Sequence, residues 1–161
     1  MNKSMRHRHY IYVIFLLILK CQHVHAGAPL FSKYPVSSAY KGGNHRLLEN
    51  DTGFFEIDWT RKQAINEKPN FAGHYVVYTF NCGTGAMCGE ILNIKTGMVA
   101  AKLPYPYISE NLTINTKIDS ALMIVSGIPL DQDDKKIRRE YYLISKNGLK
   151  KITASGSGYS R

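Results

Sequence analysis

Apolar and polar residues alternate through "FFEIDW": Phe55, Ile57 and Trp59 fall on one face of an extended chain, Phe54, Glu56 and Asp58 on the other. This two-residue period predicts a strand. Thr60 stands where it can cap a short helix through "RKQAINEK", and Pro69 ends that helix by disfavouring helical geometry in the residue before it. From His74 to Asn81, "HYVVYTFN" is rich in β-branched and aromatic residues with apolar side chains on both faces, the pattern of a strand in the middle of a sheet. "EILNIKTGMVAAKL" places two apolar runs around Lys95, Thr96 and Gly97 and predicts a hairpin.

The pattern continues in short units. "LPYPYISE" carries Pro104 and Pro106, which remove ladder donors and suit a connection or a sheet edge. "LTINTKI" and "ALMIVSG" predict two strands around Asp119 and Ser120. "REYYLISKNGLKKIT" predicts a closing hairpin turned at Asn147 and Gly148, and the charged "DQDDKKIRR" before it reads as an exposed loop. About seven strands at short spacing, joined by hairpin turns and accompanied by one short helix, predict a mainly β fold: a single antiparallel meander or small sandwich domain.

The N-terminal residues change the expected compartment. "MNKSMRHRHY" is basic, Ile11 to Leu19 are apolar, and small residues follow near Ala26, which is the layout of a signal peptide over residues 1–26. Nine apolar residues are too few for a membrane span, which needs roughly 20. The remainder, residues 27–161, fits one secreted domain of the common size, about 100 to 150 residues. The whole chain has a formal net charge of +9; without Lys3, Arg6, Arg8 and Lys20 there remain 17 basic against 12 acidic residues, or +5. Lys and Arg are not gathered into a stripe with interleaved aromatics, so nucleic acid is not an expected partner. No transmembrane segment is expected after cleavage, and the expected location is periplasmic or secreted.

In an exported chain the pair Cys82 and Cys88 predicts a disulfide, whose short loop stabilises the fold by about 2 kcal/mol. Gly83 and Gly85 then read as turn residues that let the cysteines meet. His74 and Cys82 are eight residues apart, roughly 26 Å along a strand at about 3.3 Å per residue, so they cannot form a Cys–His pair there. His74 reads as structural, with Gly73 permitting the close approach of another segment. No metal site is expected: residues 27–161 keep only His45 and His74, and the Asp131, Asp133, Asp134 loop has Lys136 and Tyr142 where a calcium loop needs Gly and Glu. No cofactor motif is present either, since "GTGAMCGE" lacks the lysine and following helix of a phosphate loop.

"PNFAGHYVVYTFNCGTGAMCGEILNIKTGMV", with the later "ALMIVSG" and "YYLISKNGLKKI", resembles a group of small secreted bacterial proteins of uncharacterised function. Members pair an Asn-Phe-Ala-Gly-His-Tyr run with a Gly/Cys-rich turn and a Lys-Thr-Gly hairpin. Here Cys88 stands six positions after Cys82, a wider spacing than that pattern has. The resemblance spans roughly residues 60–152 and implies export and a β fold, and no activity.

These readings favour a small exported binding module of the bacterial cell envelope, of inhibitor or immunity type, whose partner is an envelope or secreted protein met by loops on a rigid β scaffold. Candidate contact residues are Tyr105 and Tyr107 in "LPYPYI", and Tyr159 in the Gly/Ser-rich tail, where Ser155 to Tyr159 is similar to short loops of periplasmic lysozyme inhibitors. An envelope hydrolase using Glu56, Asp58 or Glu90 as acid/base groups is the alternative. A structural envelope protein without a small ligand is the third. An enzyme is the less favoured class, and no catalytic residue is assigned.

Overall fold

The computed structural model describes residues 27–48 and 54–153. The expected signal segment and Tyr159 lie outside the described residues. The described residues form two four-stranded antiparallel sheets and one α-helix, the sheets as the hairpin signals predict. In the first sheet β1 (Tyr75–Gly83), β2 (Ala86–Asn93) and β3 (Met98–Lys102) run in that order, and β4 (Tyr107–Ile108) pairs with the start of β2 at Ala86 and Met87. The second sheet has the order β5 (Thr113–Asn115), β6 (Leu122–Gly127), β7 (Arg138–Ser145), β8 (Gly148–Ile152).

Three apolar layers hold these parts together. Phe71, Tyr75, Ile91 and Tyr107 from the first sheet and its approaches pack with Met123, Val125, Tyr142 and Ile144 of the second, forming the core the two sheets share. On the other side of the first sheet, Ala64 and Ile65 cover Val76, Leu92 and Ile94. On the other side of the second, Phe31 and Tyr34 lie against Leu122, Ile124 and Tyr141. Burial of large aliphatic and aromatic side chains, each contributing on the order of 1.5–3 kcal/mol, is the main stabilising term.

The N-terminal segment is a strap tied to both sheets by backbone hydrogen bonds. Val36 N–H donates to Asp119 O at 3.0 Å, Tyr40 N–H to Gly73 O at 2.7 Å, His45 N–H to Ile94 O at 2.7 Å and Leu48 N–H to Gly97 O at 2.9 Å. Gly97, at φ +72° in the turn between β2 and β3, has to be glycine, because a Cβ there would stand 1.9 Å from Arg46 O. Ser120, fully buried, donates its hydroxyl to Phe31 O and Tyr34 O and accepts from Leu122 N–H.

Two expectations fail. "FFEIDW" is not a strand but the start of helix α1 (Phe55–Ala64). Glu56 and Asp58 in its first turn oppose the positive end of the helix dipole. Thr60 is inside the helix, its hydroxyl bonded to Glu56 O at 2.7 Å, and does not cap it. The face turned to β1 is Ile57, Arg61 and Ala64 at helical spacing, and a stripe containing an arginine and an alanine does not announce itself as apolar. The second failure is the position of β1, which is an edge strand, with β2 between it and β3. Its two apolar faces report the layers above and below it, the shared core and the helix, and say nothing of what lies beside it.

Candidate recognition site

The "NFAGHY" run is a stitch between segments. Ala72 (φ +43°) and Gly73 (φ +80°) form a tight loop whose N–H groups donate to Lys117 O at 3.1 Å and Ile118 O at 2.6 Å, while Tyr75 N–H donates to Phe71 O at 2.9 Å. A Cβ on Gly73 would stand 2.7 Å from Ser38 O, so this glycine admits the N-terminal strap at close range. His74 is half-buried with its ring centroid 4.1 Å from that of Tyr75. Burial and the charge of Lys95 hold its imidazolium below the usual range, so it sits neutral against the strap and sheet.

Cys82 and Cys88 are bonded, with Cα atoms 5.8 Å apart. Asn81 pairs with Met87 and Gly83 with Ala86, so Cys82 is the extra residue of a bulge, and the disulfide fastens that bulge across the β1–β2 hairpin. Gly83 and Gly85, both at positive φ, carry the chain around the tip. Bonded sulfurs leave neither cysteine as a nucleophile.

Among the described residues two carboxylates are buried, Glu90 and Glu140, and both are ion-paired. Glu90 accepts from Arg61 Nε and Nη2, each at 2.8 Å, and from the Tyr78 hydroxyl at 2.5 Å, while Lys102 Nζ lies 3.4 Å away. Burial alone would raise its pKa, but the Arg61 and Tyr78 hydrogen bonds outweigh it and hold the carboxylate below its ordinary value. Glu140 accepts from Tyr142 at 2.5 Å, from Tyr107 at 3.5 Å and from Lys151. It too is held low against the opposing effect of burial, chiefly by Lys151 and Tyr142. A general acid needs a raised carboxyl and a base needs a free one near substrate. Neither glutamate meets those needs. Sequence reading placed Glu90 among candidate catalytic groups without its partner, because Arg61 is 29 positions away and reaches it only by way of the helix.

Glu56 and Asp58, expected on one strand face, are two apart on a helix and diverge by about 200° at 3.6 residues per turn. Tyr107 is 1% exposed and belongs to the shared core, which corrects its reading as a surface contact. Tyr105 is half-buried, edge-on to the Tyr107 ring with centroids 6.3 Å apart. Among the described residues no three His, Cys, Asp or Glu side chains gather into a group that could hold a metal. No described helix is long and apolar enough to cross a membrane.

What the surface does present is aromatic. Phe54, Phe55 and Trp59 are 67%, 82% and 55% exposed at the start of α1, and the Phe55 and Trp59 rings lie near-parallel with centroids 6.3 Å apart. Phe54, Phe55 and Ile57 form one wall of a groove of about 580 Å³, and Asn81, Cys82 and Thr84 of the disulfide-fastened tip form the other. Large apolar side chains held in water on a rigid wall are the usual mark of a contact surface. The strand expected at "FFEIDW" would have turned Phe55 and Trp59 together toward the interior, which is why this surface was missed. Comparison with protein-family models, with curated proteins and with solved structures returned no match.

Proposed function

We propose that the chain is an exported, disulfide-stabilised recognition module of the bacterial envelope, of inhibitor or immunity type, whose aromatic face at the start of α1 meets a protein partner. The observation that carries this reading is the exposed cluster of Phe54 and Phe55, which face the fastened β1–β2 tip, and Trp59, stacked on Phe55. Aromatic anchors in a groove with a polar margin resemble the centres of protein interfaces, where Trp and Tyr dominate binding energy. Neutralisation of both buried carboxylates supports binding over acid/base catalysis. The basic and apolar N-terminal residues and the resemblance to small secreted bacterial proteins support export.

The test is capture from envelope extract with the oxidised full chain, compared with a Phe55→Ser/Trp59→Ser variant of unchanged thermal stability. A stoichiometric protein retained by the wild type and lost by the variant supports the reading. Equal capture by both, or capture by neither, overturns it.

A further inference from the structure

The edge of β1 that faces away from β2 is half closed by one side chain. Asn70 Nδ2 donates to Val77 O at 3.0 Å and Asn70 Oδ1 accepts from Val77 N–H at 2.8 Å, so a planar amide occupies the place of a peptide group in a neighbouring strand. Strand period two turns the N–H and C=O of Thr79 and Asn81 to the same side as those of Val77. Both residues are exposed, and among the described residues their outward backbone groups meet nothing. The bulge at Cys82 ends the edge.

This open stretch borders a groove of about 390 Å³ whose far wall is Leu112 and Ile114, at the edge strand β5 of the other sheet. Asn70, Thr79, Ser109 and Thr116, with Val77 and Met87, make the rest of the lining polar for the most part, with no charged side chain. In a chain of net charge +9 this is a neutral strip, with no countercharge for an anionic polymer or a basic tail. Donors and acceptors alternating at strand spacing match the backbone of another extended chain and little else.

We propose that this groove takes an uncharged extended segment of a protein partner, which adds as a short strand to the edge of β1 at Thr79 and Asn81, continuing the line begun by Asn70. Side chains of the segment that point inward reach Met87, Leu112 and Ile114. The proposal rests on the reading that the partner is a protein; it shares Asn81 with the far wall of the aromatic groove but uses none of Phe54, Phe55 and Trp59, so variants of the two surfaces fail separately.

The probe is a library of uncharged synthetic heptapeptides, screened against the oxidised full chain. The expected result is a binder that slows hydrogen exchange of the Thr79 amide. Its affinity falls at least about tenfold on Thr79→Pro, which removes an outward N–H that an edge strand does not need for folding. N-methylation of alternate peptide nitrogens, tested against the unaltered protein, produces the same loss and decides the matter if Thr79→Pro does not fold. Trp59→Ala leaves the peptide affinity unchanged. The proposal is overturned if no heptapeptide binds more tightly than about 1 mM, if neither change weakens binding, or if the edge proves to pair with a second copy of the chain, seen as a dimer that Thr79→Pro dissociates.

Discussion

Arg61 and Glu90 form a bidentate pair with both side chains almost wholly out of water, 4% and 1% exposed, joining helix α1 to the middle strand of the first sheet. Removing one partner of such a pair leaves a buried charge uncompensated, at a cost of about 3–5 kcal/mol. Arg61→Met and Glu90→Gln are each expected to lose that much in urea denaturation. The double variant Arg61→Met/Glu90→Leu is expected to lose less than either, because it buries no charge. Lys102→Ala, at the exposed end of the network, is expected to cost less than about 1 kcal/mol. A double variant worse than both singles would show that the pair acts by some means other than mutual neutralisation.

Stability should fall in acid in two stages. Glu90 and Glu140 both have folded pKa values below the ordinary 4.5, so their contribution is complete above that value and is lost as pH falls through the lowered ones. His74 is lowered below 6.5; the folded state therefore binds fewer protons than the unfolded chain, and a smaller loss begins as pH drops past 6.5. Denaturation midpoints measured from pH 8 to pH 3 should hold level, decline slightly near 6 and fall steeply below about 4.5. His74→Gln should remove the first decline alone. A midpoint that rises on acidification would contradict the assigned directions.

Much of the sheet structure could be read from the sequence, because hairpin turns are local: Lys95-Thr96-Gly97 turns where expected, and the closing hairpin turns at Lys146 and Asn147, one residue before the expected Asn147-Gly148. The cystine was legible for the same reason, two cysteines six positions apart around a turn. Helix α1 was not, since the residues it buries are Arg61 and Ala64, with Ile57 half-buried beside them, while its aromatic residues remain in water. An arginine looks like a core residue only once Glu90 is placed opposite it. Asn70 was hidden similarly: its partner Val77 is near in sequence, but the role of its amide appears only when β1 is known to be an edge.

Gly97 and Gly85 both have φ near +70°, yet their substitution should differ in effect. An alanine Cβ at position 85 meets nothing within 4 Å, so Gly85→Ala should cost about 1 kcal/mol, for the left-handed conformation alone. At position 97 the same atom collides with Arg46 O and displaces the N-terminal strap held by Leu48 N–H. Gly97→Ala should cost more than about 2 kcal/mol. It should also increase limited proteolysis between residues 41 and 48, whereas Gly85→Ala should not. Equal losses for the two would mean that the strap adds nothing at that contact.

Reduction of the Cys82–Cys88 bond should weaken the fold without abolishing it. The loop is short, which limits the entropic gain to about 2 kcal/mol, and Cys82 lies on the exposed tip away from the shared core. A Cys82→Ser/Cys88→Ser variant should therefore melt cooperatively at a lower temperature. Its hydrogen exchange should rise at residues 81–86 and remain unchanged in β6 and β7. Global loss of protection would place the disulfide at the centre of the fold.

Asn70→Asp tests the amide bracket on β1 with almost no change of shape. The carboxylate can still accept from Val77 N–H, but in place of the Nδ2 donor it sets a second oxygen against Val77 O. One hydrogen bond is exchanged for repulsion at an exposed edge, so a loss of about 1–2 kcal/mol is expected at neutral pH. Protonation of the introduced acid restores a donor, and part of the loss should be recovered near pH 4, against the downward trend set by Glu90 and Glu140. Asn70→Ala leaves both Val77 groups to water and should show no such recovery. If the aspartate and alanine variants follow the same pH curve, the donor at Val77 O contributes nothing to holding this edge.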